Sequence, residues 1–462
     1  MAAMALACVV AAVAAAIGVS ARATYGARTT ADEPQYLLSA ISLAEDGDLD
    51  ISDELAAQRW RPFHEAALPQ QTRLLPDGRR ISPHDPLLPL LLVPGVALGG
   101  WVGAKVTLVL LAGGTAALLV WTAVWRLNVA PRVAALVVSV LAASVPLAPY
   151  GSQVYPELPA ALAVTAGLAV LLAPLGRAGV AGIFVVCGTL PWLGIKYAPV
   201  AAVLALVAMV RLLRDRRVAE AGVLVTALLT AGGVYLAVHQ AVWTGWTVYA
   251  SADHFVDSGE LGVVGFAPNY WGRSVRLAGL LTERSFGIAA WQPAWLLAVP
   301  AFGALVRARP AHWPVLCVVL AAGWLNATFV ALTMAGWWFP GRQIVVVLPA
   351  AALACAWWLD RHRPARWMFT IAGVTGVASW VIVAAEASTG RLTLIYDFFT
   401  TANPLYRAWR TVLPNFMTVT ATTWWWHGVW VVLLALMAIA GWRAARPAAI
   451  HPPVESPSPP AR

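Results

Sequence analysis

The sequence predicts an all-α, polytopic membrane protein, and three observations carry that prediction. Hydrophobic residues make up 60% of the 462 and charged residues only 11%. Soluble domains hold roughly 45–50% and about 25%, so too few charges remain here to coat a water-facing surface. Apolar runs long enough to cross about 30 Å of hydrocarbon recur along the chain. Arginine collects in alternate short breaks between those runs, the bias expected of cytoplasmic loops. Together these exclude a soluble enzyme, a nucleic-acid-binding domain and a disordered protein. They also account for the net charge of +9 without a polyanionic partner.

The elements follow in order. Residues 2–20 form the first expected crossing. Ser20-Ala21-Arg22-Ala23 faintly resembles a signal-peptidase site, but no basic segment precedes the apolar run, which favours an uncleaved helix. Residues 21–86 hold Asp32, Glu33, Glu45, Asp46, Asp48, Asp50, Asp53, Glu54, Arg59, Arg61, His64 and Glu65. They read as a long polar loop with short amphipathic helices. A Pro- and Gly-broken apolar lead-in at 87–100 is too interrupted to be a full crossing, so the first loop and its re-entry run to residue 102. Further crossings are expected at 103–126, 132–149, 156–174, 178–195, 198–213, 219–243, 291–306, 312–334, 343–359, 367–386 and 425–442. With the first helix that makes about twelve.

Arg126 with Arg132, Arg177, Arg211 to Arg217, Arg307 with Arg309, Arg361 to Arg366, and Arg443 with Arg446 all fall on one side of this alternation. The positive-inside rule makes that side cytoplasmic. Both termini are then inside, and the long loops 21–102, 244–290 and 387–424 lie outside. One membrane-embedded domain spans 1–446. The Pro-rich segment 447–462 is expected to be a disordered cytoplasmic tail.

Polar residues at the outer ends of the helices carry the functional information. Asp32-Glu33-Pro34 reads equally as a helix cap, with Pro in the first turn and carboxylates at the positive end of the dipole, or as a catalytic acid pair. Ser82-Pro83-His84-Asp85-Pro86 marks the re-entry, where a proline-rich turn is the plainer reading. Tyr155-Pro156-Glu157 opens another helix. Lys196, followed by Tyr197, is a lone cation inside an apolar run of more than twenty residues, and it either snorkels to the interface or binds an anion. Gly341-Arg342 ends another outer turn on an isolated cation. The loop 244–290, with His254, Asn269, Tyr270 and Trp271, is a candidate for acceptor recognition.

Other signals fail. Asp46, Asp48 and Asp50 have the spacing of an EF-hand start, but Ile51 replaces the turn glycine and Ala57 the twelfth-position Glu. Gly259, Gly262 and Gly265 do not make a dinucleotide fingerprint, and no Gly-rich loop ends in Lys-Ser or Lys-Thr, which argues against an ATP-driven pump. Cys8, Cys187, Cys317 and Cys355 all lie in apolar stretches and imply neither disulfides nor a zinc site. Trp424, Trp425 and Trp426 fit an interfacial aromatic belt better than a sugar-stacking surface.

In their order and their common outer face, these motifs resemble the GT-C superfamily of integral-membrane glycosyltransferases, in particular protein O-mannosyltransferases and lipid A aminoarabinose transferases. The acidic pair of the first outer loop is matched by Asp32-Glu33. The His-Pro-rich re-entry is matched by His84-Asp85-Pro86-Leu87-Leu88-Pro89, and the Lys-Tyr pair by Lys196-Tyr197. Glu157 stands where Asp is commoner. Arg342 matches a late arginine, followed by Gln343 where Tyr is usual.

The resemblance implies a GT-C-like bundle that takes a sugar from a polyprenyl-phosphate donor and places it, with inversion, on a glycan, lipid or protein acceptor at the outer face of the cell membrane. It makes Asp32 the base and Glu33 an acceptor contact. Lys196 and Arg342 would hold the donor phosphate, and His84, Tyr155, Glu157 and Tyr197 would line the substrate cavity. No cofactor is required by this set, though a divalent metal is compatible with it. A secondary transporter or lipid-linked sugar flippase is the competing reading, but it should place ionisable groups near the bilayer midplane. A polysaccharide polymerase or ligase should carry a large basic outer loop, whereas these loops are acidic or mixed.

Overall fold

The structure, a computed structural model, describes residues 1–68, 71–247, 268–311 and 313–445. His254 of the acceptor-loop reading and the Pro-rich tail lie outside the described residues. Among the described residues the chain is mostly helical, with one short antiparallel hairpin, β1 (Arg73–Leu74) and β2 (Arg80–Ile81). Seven helices among the described residues are long and apolar enough to cross a membrane. The remaining expected crossings fall on shorter apolar helices: α1 (Ala2–Ala16), α5 (Pro131–Ala142), α7 (Glu157–Leu171), α8 (Arg177–Leu193) and Pro293–Ala308. All four cysteines are free.

The first loop departs from expectation. Its main helix, α2 (Glu33–Glu45), is not amphipathic in its packing. It is buried continuously from Glu33 to Ser42, including the polar Gln35, Ser39 and Ser42, because it lies along α4 (Leu87–Leu127) instead of on a wet surface. A short α3 (Ser52–Ala56) and the β-hairpin complete the loop.

α4 is itself a hairpin of two helical arms. Gly99 and Gly100 leave helical geometry between them, Gly100 with φ +57°. The arms then close so tightly that a Cβ on Gly103 would sit 1.9 Å from the Gly95 carbonyl oxygen, an approach only glycine permits. The broken lead-in at 87–100 is thus the first arm, and it carries His84 and Asp85 at its mouth.

The helix Leu348–Arg361 and the 3₁₀ turn Arg342–Val347 before it form the centre of the bundle, buried almost throughout. α7 packs beside them. Its two ends differ in chemistry. At its C-terminal end, Arg126 donates to the Ala169 carbonyl, Arg211 to Leu171 and Ala173, and Arg217 to Leu175. These guanidiniums satisfy carbonyls that the ending helix leaves open. At its N-terminal end, roughly 22 Å away at 1.5 Å per residue, stands Glu157. The arginine-rich breaks and the acidic motifs therefore occupy opposite ends of one helix, as the charge alternation predicts.

Candidate active site

Four charged residues from four separate motifs meet at the Glu157 end of the bundle. Arg342 Nη2 donates to Asp32 Oδ2 at 2.6 Å, and Arg342 Nε donates to Glu157 Oε1 at 2.9 Å. Lys196 Nζ donates to the same Glu157 oxygen at 2.6 Å. The chain of contacts Asp32–Arg342–Glu157–Lys196 carries two charges of each sign.

Each position has a local cause. Asp32 precedes α2 and Glu157 opens α7, so both carboxylates meet the positive ends of helix dipoles. Lys196 sits on the 3₁₀ turn Ile195–Tyr197 between α8 and α9 (Ala198–Arg214). Arg342 follows Gly341, whose φ of +88° turns the chain inward, and a Cβ there would meet Pro146 at 2.7 Å. The arginine fork is planar and offers a separate N–H to each carboxylate, Nη2 to Asp32 and Nε to Glu157. Its guanidinium also lies over the rings of Tyr155 (4.0 Å) and Trp338 (5.2 Å).

The capping reading of the acids does not hold for Asp32, whose side chain makes no bond to the turn it precedes. It faces Arg342 and stays about a quarter exposed, 24%. Burial disfavours its ionisation, but Arg342, with His84 and Lys196, outweighs that and holds the carboxyl well below the usual range. Lys196 is not a simple snorkelling cation, since its ammonium is paired with a carboxylate that is 1% exposed. The second Glu157 oxygen, Oε2, is buried and meets no donor among the described residues. His84 is stacked on Tyr36 with ring centres 4.6 Å apart, and Tyr155 donates to the Thr30 carbonyl. Tyr197 lies under the Lys196 ammonium at 5.2 Å.

Glu33 stands apart from this group. It is fully buried, and its two oxygens accept the backbone N–H groups of Thr30 (3.1 Å) and Val154 (2.8 Å). It joins the start of α2 to the strand of chain ahead of α7. Burial raises its pKa, against the pull of Lys105 and these backbone bonds. Lys105, on the second arm of α4, is 2% exposed and donates to the carbonyl of Arg28 at 3.1 Å. Sequence reasoning passed over it, although a lone cation inside the expected span 103–126 carried the same signal as Lys196.

A second group was also missed. Asp85 Oδ2 accepts the Ile195 N–H (3.1 Å), which fixes the turn bearing Lys196. Asp85 Oδ1 accepts the Tyr235 hydroxyl (2.8 Å) and lies 3.0 Å from His239 Nε2. His239 Nδ1 faces the Tyr235 carbonyl at 2.8 Å, which can only accept, so that nitrogen carries a proton. The imidazole is stacked between Tyr235 and Trp243 on α10 (Val218–Trp243).

No family model matches the chain, and no curated protein matches it. Solved structures do. The chain aligns over 94% of its length with ArnT from Cupriavidus metallidurans bound to undecaprenyl phosphate, at a TM-score of 0.54 and 15% identity, covering 71% of that chain. The chain has the ArnT fold. The apo form of the same ArnT aligns over 95% of the chain at TM-score 0.52 and 16% identity, covering 72% of that protein. The expected likeness to lipid A aminoarabinose transferases thus holds at the level of fold.

Proposed function

We propose that this protein is an inverting glycosyltransferase that moves a sugar from a polyprenyl-phosphate donor to an acceptor hydroxyl at the outer face of the membrane. The observation that carries the reading is the Asp32–Arg342–Glu157–Lys196 cluster at one end of a bundle with the ArnT fold, a fold seen elsewhere with undecaprenyl phosphate bound. A transporter would gather such groups at mid-bundle. Here they gather at the end opposite the arginines.

The geometry suggests a sequence of events. In the resting site Asp32 is a weak base because Arg342 stabilises its charged form. A donor phosphate binding to Arg342 and Lys196 competes for Arg342 and frees the carboxylate, so that its proton affinity rises only once the donor is seated. The acceptor oxygen then attacks the anomeric carbon from the face opposite the phosphate. The new C–O bond forms as the sugar–phosphate bond breaks, the acceptor proton passes to Asp32, and polyprenyl phosphate leaves with both electrons of the broken bond. Arg342 and Lys196 stabilise the charge developing on the phosphate. Glu33 acts in this scheme through position, by holding the turn that presents Asp32, and not by touching the acceptor.

The test is to incubate the purified protein with a panel of polyprenyl-phosphate sugars and detect released polyprenyl phosphate. Release that falls roughly 10²–10⁴-fold in Asp32→Asn, with donor binding kept, supports the scheme. Full activity in Asp32→Asn refutes it.

A further inference from the structure

The acid-rich segment of the first loop divides into carboxylates that the fold uses and carboxylates that it does not. Glu45 forms a two-pronged ion pair with Arg59. Asp48 Oδ1 accepts from the Ser42 hydroxyl and the Asp50 N–H, both at about 3 Å. Asp50 Oδ1 accepts from the Ser52 N–H and hydroxyl and from the Arg80 N–H. These bonds close the loop between α2, α3 and the β-hairpin.

Asp46, Asp53 and Glu54 remain. One carboxylate oxygen from each lies within 4.8 Å of the others. Asp46 and Asp53 are exposed, but Glu54 is 2% exposed and its Oε2 meets no donor among the described residues. Arg59 is the neighbouring cation, and its guanidinium is already committed to Glu45. A buried carboxyl set against the Asp53 side chain, with one oxygen that meets no donor among the described residues and a third carboxylate close by, is what an oxygen-ligated cation requires and what a fold otherwise avoids.

We propose that Asp46, Asp53 and Glu54 bind a hard divalent cation of the calcium class, with water completing its coordination. This is not an EF-hand: Asp48 and Asp50, which give the sequence its EF-hand-like start, are spent inside the loop. The ion joins the C-terminal end of α2 to α3. α2 begins at Glu33, roughly 20 Å away at 1.5 Å per residue, so the ion stiffens the loop that presents Asp32 and takes no part in chemistry at the cluster. Three protein carboxylates on a partly open surface resemble the weak sites of extracellular modules, with a Kd on the order of 10⁻⁴–10⁻³ M.

The experiment uses the full chain in detergent, titrated with CaCl₂ by calorimetry and followed in parallel by thermal unfolding. The expected result is one binding event in that range, a Ca²⁺-dependent rise in midpoint, and weaker binding of Mg²⁺. Glu54→Gln should weaken Ca²⁺ binding at least tenfold and abolish the rise. Should that variant not fold, Asp53→Asn, at an exposed position, is expected to weaken binding by a similar factor. No binding well above the expected range, tighter binding of Mg²⁺ than of Ca²⁺, or binding unchanged in Asp53→Asn would overturn the assignment. Sugar transfer is not read in any arm, so the result is independent of the proposed activity.

Discussion

Arg342→Gln isolates what the central guanidinium does for the fold. It removes both ionic contacts of Arg342, one to Asp32 and one to Glu157. Breaking a buried ion pair by removing one partner costs about 3–5 kcal/mol. Two features of the site place this case at the lower end. Asp32 is partly exposed and can be rehydrated, and Glu157 keeps Lys196. A loss of about 3 kcal/mol follows, and a chain of this length converts it to a midpoint shift of about 3 °C, using a per-residue unfolding entropy near 2.1 cal/mol/K. The assay is thermal unfolding in detergent, read by a thiol-reactive dye. Cys187 and Cys355 are buried and become reactive as the bundle opens. The double variant Arg342→Gln/Asp32→Asn also removes the carboxylate that Arg342 leaves behind, without touching the Glu157–Lys196 pair, and it should recover part of the loss. A midpoint unchanged in Arg342→Gln, or a double variant worse than the sum of the two singles, would refute the claim that this arginine neutralises both carboxylates.

Other outcomes follow from the same geometry. Lys196→Met should weaken binding of a polyprenyl-phosphate donor by about 10–150-fold, the equivalent of a lost charge-assisted bond at about 1.5–3 kcal/mol, and this is measurable by equilibrium binding to the detergent-solubilised protein. Cysteines introduced at Ser52 and Arg214 should differ in labelling by an impermeant thiol reagent in intact cells, Ser52→Cys reacting and Arg214→Cys not; equal labelling would sink the orientation. Glu33 has a raised pKa in the folded state, so the native protein binds more protons than the unfolded chain in the interval above the ordinary carboxylate range. Stability should be greatest below that range and fall as pH rises towards the folded pKa; Glu33→Gln should flatten that slope in unfolding midpoints measured across pH.

The cluster was legible in the sequence because an isolated charge in an apolar run is expensive unless it has a partner. That logic singled out Lys196, Arg342 and Glu157, while Asp32 stood out as half of the acidic pair that follows the first helix. It could not say who paired with whom, since Asp32 and Arg342 are 310 residues apart. Nor could it separate a cap from an ion pair, because Asp-Glu-Pro satisfies both descriptions. Glu33 reads as an acceptor contact because adjacent carboxylates look alike in sequence, while in the fold one faces a guanidinium and the other two backbone amides. His239 left no trace: it lies in a smooth apolar span, and its partner Asp85 belongs to a turn that reads as proline chemistry. The helical hairpin of α4 was half visible, its break at Gly99 and Gly100 clear and its close crossing at Gly95 and Gly103 not.

The order in which the cluster's members leave the ribosome has a consequence for how the protein is made. Asp32 is synthesised first, then Glu157, then Lys196, and Arg342 long afterwards. Glu157 and Lys196 stand at the ends of neighbouring helices and can neutralise each other as soon as α9 is inserted. Asp32 must wait. Its counter-ion arrives only after almost three quarters of the chain has been translated, so the loop bearing it is held until then by its internal contacts, the Glu45–Arg59 pair among them, and by Glu33. A nascent chain stopped before residue 342 should therefore retain a Glu157–Lys196 pair while its first loop is still accessible to protease. Closure of the site thus reports that synthesis has passed the central helix.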